Sequence, residues 1–148
     1  MVFIEKSKQS LTIDQIEGVE QRLKLKLPYE YKEFLMKYNG GIPSSNIVTY
    51  YDHLGRSTRS VVDYFLAIYD EYGYDNLVIK YEYFISSNRI PLGILPIASD
   101  PFGNLICIST REKDNGKIYF LDHELDQSDY GNLGVISNNF SEFLRSLK

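Results

Sequence analysis

Apolar residues in the first part of the chain recur every three or four positions, as they do along one face of a helix. The first set is Ile13, Ile16, Val19 and Leu23. Thr12 and Gln15 begin it at capping-box spacing, so the pattern predicts a helix over about 13–24. The second set follows Pro28, a residue suited to a helix start, and comprises Tyr31, Phe34, Leu35 and Tyr38. We predict that the second helix ends at 39–41 with glycine as a left-handed cap.

The periodicity then changes from that of helices to that of strands. β-branched and aromatic residues at 47–51 and 61–68 predict two strands separated by a turn at 52–55. Asp75 or Asn76 can cap a third helix that runs to about Ser86, because Leu77, Tyr81 and Phe84 again share one face.

The last third of the chain contains three apolar runs joined by turn-like sequences. These runs lie at 94–99, 105–110 and 117–122, and they predict an antiparallel meander. A final helix introduced by Ser137 has an apolar stripe of Phe140, Phe143, Leu144 and Leu147. The sequence therefore predicts one α+β domain over 1–148. In it, a largely antiparallel β-sheet is flanked by an N-terminal helical pair and a C-terminal helix.

Composition and charge place this domain in a broad class. Hydrophobic residues make up 43% of the chain and charged residues 24%, as is typical of globular proteins. Cys107 is the one cysteine and no long apolar run follows the start, so we expect a cytoplasmic protein without membrane association. Residues 61–148 hold seven Lys and Arg against thirteen Asp and Glu. This acidic part disfavours nucleic acid as a partner and favours a basic protein.

The sequence offers little support for a catalytic site or a metal-binding site. His53 and His123 lack metal-ligand spacing, and the acidic stretch at 122–133 lacks the glycine and closing glutamate of a calcium loop. No nucleophile elbow or phosphate-binding loop is present, and Cys107 lies in an apolar strand. We therefore predict no catalytic residues, no metal and no cofactor. The turn at 100–104 either exposes Asp100 to a ligand or shapes a hairpin, in which Gly103 and Asn104 tolerate positive φ, and we favour the second interpretation.

Three segments, taken together, resemble the SUKH (Smi/Knr-like) superfamily. They read LPYEYKEFL at 27–35 with YNGG at 38–41, LPIASDPFGN at 95–104, and KIYFLDHE at 117–124 with FSEFL at 140–144. The resemblance implies an immunity protein, since many members protect bacteria against polymorphic toxins that are often nucleases. It also leaves open a non-enzymatic regulatory or scaffold role, which fungal relatives have. Members often carry Trp near the first segment, and this chain has none.

A protein-binding function needs a surface that one partner recognises strongly. The best local candidate alternates aromatic residues with acids and consists of Tyr69, Asp70, Glu71, Tyr72, Tyr74 and Asp75. Tyrosines supply contact area and carboxylates pair with the basic side chains of a cognate toxin. Further candidates are Tyr50, Tyr51, Asp52, Asp122, Glu124 and Asp126. The alternative interpretation is that these tyrosines pack on the sheet and the acids are merely solvated.

Overall fold

A computed structural model of the chain describes residues 2–125 and 132–148. Its helices are α1 (Ile13–Leu23), α2 (Tyr29–Lys37), α3 (Leu77–Ser86) and α4 (Phe140–Ser146). Its strands are β1 (Ile4–Glu5), β2 (Ile42–Pro43), β3 (Ile47–Tyr51), β4 (Ser57–Val61), β5 (Tyr64–Phe65), β6 (Ile94–Ser99), β7 (Leu105–Ser109), β8 (Ile118–Leu121) and β9 (Leu133–Ser137). A short 3₁₀ helix covers Glu112–Asp114. The predicted α+β class is confirmed.

The helix starts follow from the side chains at their N-termini. Thr12 Oγ1 accepts from the Gln15 N–H at 3.2 Å and Gln15 Oε1 accepts from the Thr12 N–H at 2.9 Å, so the predicted capping box is formed. Asn76 caps α3 in the same manner by accepting from the N–H of Ile79. The last helix begins later than predicted, because Ser137 ends β9 and Asn139 is the cap.

The glycine cap predicted for α2 is wrong. The helix ends at Lys37, and the residue after it, Tyr38, is extended with φ −133°. Gly41 has φ +115°, and a Cβ atom there would lie 2.5 Å from the carbonyl oxygen of Glu5. Glycine is therefore required at 41 because β1 and β2 approach each other closely, and not because the helix ends there.

The main sheet has seven strands among the described residues, in the order β4-β3-β9-β8-β7-β6-β5, and every neighbouring pair is antiparallel. The predicted meander corresponds to β6, β7 and β8 and is confirmed. Strand β9, which extends it, is absent from the prediction. Its five residues include Gly134, which weakens the strand pattern.

The single strand predicted over 61–68 is wrong, because the chain bends there and changes partners. The N–H of Val62 donates to the Asn46 carbonyl oxygen at 2.7 Å, whereas the N–H of Asp63 donates to the Ser99 carbonyl oxygen at 2.8 Å. Strand β4 therefore pairs with β3, and β5 pairs with β6 at the other edge of the sheet. This bent segment links the two edges and accounts for the curl of the sheet.

The curled sheet buries side chains on both faces. The larger core lies between the sheet and α1, α2, α3 and α4, and its aromatic members include Tyr31, Phe34, Phe65, Phe140 and Phe143. The smaller core on the other face consists of Phe84, Ile90, Ile94, Leu105, Cys107 and Leu121. Cys107 has no exposed surface, and burial raises the pKa of its thiol, so it is an apolar core residue as predicted.

Candidate protein-binding surface

Residues 69–75, here called the 69–75 loop, connect the end of the bent segment to α3. Two backbone hydrogen bonds close its base: the Ala67 N–H donates to the Asp75 carbonyl oxygen, and the Leu77 N–H donates to the Ala67 carbonyl oxygen, both at 2.8 Å. These bonds form a short parallel bridge between Ala67 and Asn76. The loop therefore leaves and re-enters the fold at one point, which limits the directions that its residues can take.

Asn76 fixes the inside of the 69–75 loop. Its side chain is almost fully buried, and Nδ2 donates to the carbonyl oxygens of Tyr69 at 2.9 Å and Glu71 at 3.0 Å. The same side chain caps α3 through its Oδ1 atom, which accepts from the Ile79 N–H. One amide thus joins the loop to the helix, and the loop is held in place before any partner binds.

Tyr69 and Asp75 are only partly exposed, and their contacts with each other form the framework of the loop. The Tyr69 hydroxyl donates to Asp75 Oδ1, and Lys8 Nζ lies 3.7 Å from Asp75 Oδ2 and 4.5 Å from the centre of the Tyr69 ring. Burial, together with the neighbouring Asp75 carboxylate, raises the pKa of the Tyr69 hydroxyl, which stays protonated at neutral pH. A Cβ atom at Gly73 would lie 2.0 Å from the same hydroxyl, so glycine makes room for this contact.

The four other predicted residues of the loop face solvent. Tyr72 is 86% exposed and Tyr74 is 73% exposed, and the side chains of Asp70 and Glu71 are exposed beside them. The Tyr74 ring meets the Tyr64 ring edge to face at 5.3 Å, which restricts its orientation. The loop therefore presents two aromatic rings and two carboxylates to solvent. Large exposed aromatic residues are characteristic of binding surfaces.

A groove of about 590 Å³ adjoins this loop and runs past α1 and the N-terminal segment. Its lining includes the apolar side chains of Leu11, Val19 and Val78 and, from the loop, Asp70 and Glu71. Lys8 and Arg22 also line the groove, so it offers a partner apolar, acidic and basic side chains together, beside the exposed tyrosines.

The other predicted site residues lie elsewhere and only in part together. Tyr50 is half-buried and stacks on Phe120 at 4.0 Å, and Tyr51 is 52% exposed. Asp52 accepts from the N–H groups of Leu54 and Arg56 and from the Arg56 guanidinium, so it builds the β3–β4 turn. Asp126 lies outside the described residues.

Asp122 and Glu124 follow β8 and approach Tyr50. Asp122 Oδ1 accepts from the Glu124 N–H at 3.0 Å. Tyr50, Asp122 and Glu124 line one depression of about 270 Å³, and Tyr50, Asp52 and Asp122 line the neighbouring one. Burial and the charges of Asp122 and Asp100 raise the pKa of Tyr50. Neither depression shares a lining residue with the groove at the 69–75 loop.

The turn at 100–104 has the structural role that we favoured. Asp100 is buried and accepts from the Ser60 hydroxyl, from the N–H groups of Phe102 and Asn104, and from the Asn104 amide, all at 2.8–2.9 Å. Gly103 has φ +90°, whereas Asn104 does not use the positive-φ region that it would tolerate. Its Oδ1 instead accepts from His123, at 2.7 Å from Nδ1. No local pattern in the sequence indicates this contact, because His123 lies 19 residues further along the chain.

Similarity to known proteins identifies the family. The SMI1 / KNR4 family (SUKH-1) matches residues 10–146. The chain belongs to this family. A relative, the SPbeta prophage-derived uncharacterized protein YokK of Bacillus subtilis (strain 168), is 33% identical over 151 residues that cover 92% of this chain and 74% of the relative. The family is of the immunity and regulatory type and is generally non-enzymatic.

Two further observations bear on the chemistry of this SUKH-1 protein. In the part of the chain that the structure describes, no three His, Cys, Asp or Glu residues are grouped so that they could hold a metal ion. Over the same residues, no helix has the length and apolar character needed to cross a membrane.

Proposed function

We propose that this SUKH-1 protein is an intracellular immunity protein that binds a cognate toxin, a nuclease by class, and neutralises it by protein–protein interaction. The observation that carries the proposal is the 69–75 loop. Its exposed residues Tyr72, Tyr74, Asp70 and Glu71 are presented by a framework that is already hydrogen-bonded in the absence of a partner.

The framework matters because binding is weakened by the loss of conformational freedom. A loop that is ordered before binding loses less freedom, so more of its contact energy appears as affinity. Tyrosine adds to this advantage, since its ring contributes a large contact area with few rotatable bonds. The 69–75 loop combines both features and is therefore suited to tight, specific recognition.

Charge supplies the second part of the argument. A protein that acts on nucleic acid needs Lys and Arg side chains to bind the phosphate backbone. Asp70 and Glu71 can pair with such side chains and steer the toxin towards the loop. Inhibition then follows because the basic surface that holds the substrate is covered by the immunity protein.

The test takes as its candidate partner a toxin gene found beside this one. We expect co-expression to protect cells and the two purified proteins to form a complex. Tyr72→Ala and Tyr74→Ala should each weaken the complex by about 2 kcal/mol, or roughly 30-fold in Kd, chiefly through faster dissociation. Tyr29→Ala is the matched control, since Tyr29 on α2 is 73% exposed, as Tyr74 is. It should leave affinity and protection unchanged.

Two outcomes would contradict the proposal. Wild-type affinity and protection in both loop variants would show that the partner binds elsewhere. A complex with a non-toxic partner and no protection would instead favour the regulatory or scaffold role of other SUKH proteins. In each case the melting temperature of the variants must match that of the wild type, so that a loss of binding is not a loss of folding.

A further inference from the structure

Strand β4 forms an edge of the main sheet, and one side of its backbone faces outward. The Asp52 N–H donates to the Arg56 carbonyl oxygen and the Val62 N–H donates to the Asn46 carbonyl oxygen. Because hydrogen-bonded pairs alternate along antiparallel strands, Thr58 and Ser60 bond to β3 while the backbone N–H and C=O groups of Ser57 and Arg59 point away from it. No described segment pairs with that outer side.

The opposite edge of the sheet shows what a covered edge looks like in this protein. There the Phe65 N–H donates to the Gly41 carbonyl oxygen at 2.7 Å, and the Ala67 N–H donates to the Asp75 carbonyl oxygen at 2.8 Å. The edge at β5 is therefore occupied by the chain itself. An uncovered edge strand presents a row of donors and acceptors that matches only one kind of occupant, another extended strand.

The surface beside β4 specifies the charge of that occupant. Thr58 and Ser60 lie on the same face of the sheet as Tyr50, since Thr58 pairs with Tyr50 and Ser60 contacts Asp100. The depression on this face is lined by the carboxylates of Asp100, Asp122 and Glu124, and its cationic residues are Arg59 and, when protonated, His123. Alternate side chains of a strand added to β4 would point into it.

A second polar group in the same region lacks a partner among the described residues. Asn132 is 4% exposed and lines the neighbouring depression with Thr58 and Asp122, and its Nδ2 atom makes no hydrogen bond to them or to any other described residue. A buried donor of this kind is costly unless an acceptor reaches it. Because this Nδ2 atom is itself buried, a carbonyl group of an incoming polypeptide could reach it only after the wall of the depression opens.

We propose that the outer edge of β4 is a docking site for an extended strand of a partner protein, with Lys or Arg at the alternate positions that face Asp122 and Glu124. Backbone hydrogen bonds to Ser57 and Arg59 position the strand, and the carboxylates select its charge. This inference goes beyond the proposed function, because it does not require the partner to be a toxin or to touch the 69–75 loop.

A second copy of this chain fits the edge poorly. The antiparallel register that overlaps all five residues of β4 with themselves places Arg59 directly opposite Arg59 of the other copy. Like charges at opposed positions of a sheet are destabilising. Arg59 thus opposes self-pairing but leaves the edge open to a strand with a different outward-facing side chain.

The test uses a short acetylated and amidated peptide of alternating lysine and valine. Added to the full-length protein, it should slow hydrogen exchange at the amides of Ser57 and Arg59, and the same peptide with glutamate in place of lysine should not. Two further peptides carry N-methyl groups on either the lysine or the valine amides. Because only one alternate set can face β4, one methylated peptide should lose binding at least roughly tenfold and the other should keep it.

A protein variant addresses the same hydrogen bonds from the other side. Arg59→Pro removes the outward N–H without removing a bond to β3, and it should abolish peptide binding. Arg59→Ala keeps the N–H, and we expect this variant to retain peptide binding. If the proline variant fails to fold, the methylated peptides still test the edge of the unaltered protein.

Four results would overturn the proposal. Equal effects of the two methylations would show that the peptide binds by charge alone. Equal binding of the glutamate peptide would show that Asp122 and Glu124 do not select the charge of the strand. No binding at about 1 mM, the weak end of specific recognition, would leave the edge without the proposed occupant. A dimer of the protein alone with protected amides at 57 and 59 would assign the edge to a second copy.

Discussion

The 69–75 loop and the turn at 100–104 use similar residues in opposite ways. Both contain acids beside aromatic residues. In the turn, the Asp100 carboxylate is buried and accepts four hydrogen bonds, so its charge serves the fold. In the loop, Asn76 and Asp75 make the internal bonds, and Asp70 and Glu71 are left exposed. The role of an acid therefore depends on how many donors surround it, and three of the four donors to Asp100 come from Phe102 and Asn104 in the same turn.

The largest effect should come from removing the buried acid. Asp100→Ala leaves its four donors without their acceptor, and we expect the free energy of unfolding to fall by about 3 kcal/mol or more. Denaturant unfolding measures this change. Asp70→Ala is the control and should leave stability unchanged, since Asp70 is exposed. Equal losses of stability in Asp100→Ala and Asp70→Ala would show that the acids of the turn and of the loop do not differ in their contribution to the fold.

A change inside the framework of the loop should affect binding more than stability. Gly73→Ala places a Cβ atom 2.0 Å from the Tyr69 hydroxyl, so Tyr69 must move and the loop must shift. We expect roughly a tenfold loss of affinity for the partner in a titration of the purified proteins. Adding Tyr69→Phe removes the clashing atom and should restore part of the affinity. If the affinity of the double variant is no higher than that of Gly73→Ala, the clash with the Tyr69 hydroxyl is not the cause of the loss.

The pH dependence of stability should reveal the Tyr69–Asp75 hydrogen bond. Tyr69→Phe should lower the free energy of unfolding by about 1 kcal/mol at pH 7. Since the pKa of Tyr69 is raised in the fold, its contribution is fully present below about pH 10, the unfolded value, and declines as the pH rises above it. The stability difference between wild type and variant should therefore narrow above pH 10. A constant difference would contradict the assignment.

The smallest effects should follow from the displayed acids. Asp70→Asn and Glu71→Gln should slow association with the partner at low salt and have little effect at high salt, because screening weakens exposed charges. Stopped-flow measurements over a salt series give these rates. The same substitution at Asp100 should change stability and leave the salt dependence of association unaltered. If the association rate is independent of salt in every variant, Asp70 and Glu71 do not steer the partner towards the loop.

Much of the fold could be predicted because the relevant signals are local. The capping box of α1, the Asn76 cap of α3 and the apolar runs of β6, β7 and β8 all lie within short stretches of sequence. Strand β9 and the break between β4 and β5 could not be predicted. Their cause is the choice of partner strand, which joins residues far apart in the chain, such as Tyr51 with Val135 and Tyr64 with Ser99.

The candidate site shows the same division. Composition singled out the tyrosines and acids of 69–75, but it treated all six as equivalent. The structure separates Tyr69 and Asp75, which build the loop, from the four residues that it displays. Asp52 likewise builds a turn. The edge of β4 had no sequence signal, because a strand pattern does not say whether a neighbour covers it.

The sequence by itself determined the α+β class, the helices with the N-terminal caps of α1 and α3, the central meander and the SUKH superfamily, since each depends on residue order and spacing. The tertiary structure alone decided which acids are buried and which are displayed, where the sheet curls, and which of its edges is open. These properties arise from contacts between residues that are distant along the chain. Such contacts form when the core packs, and local propensity does not encode them.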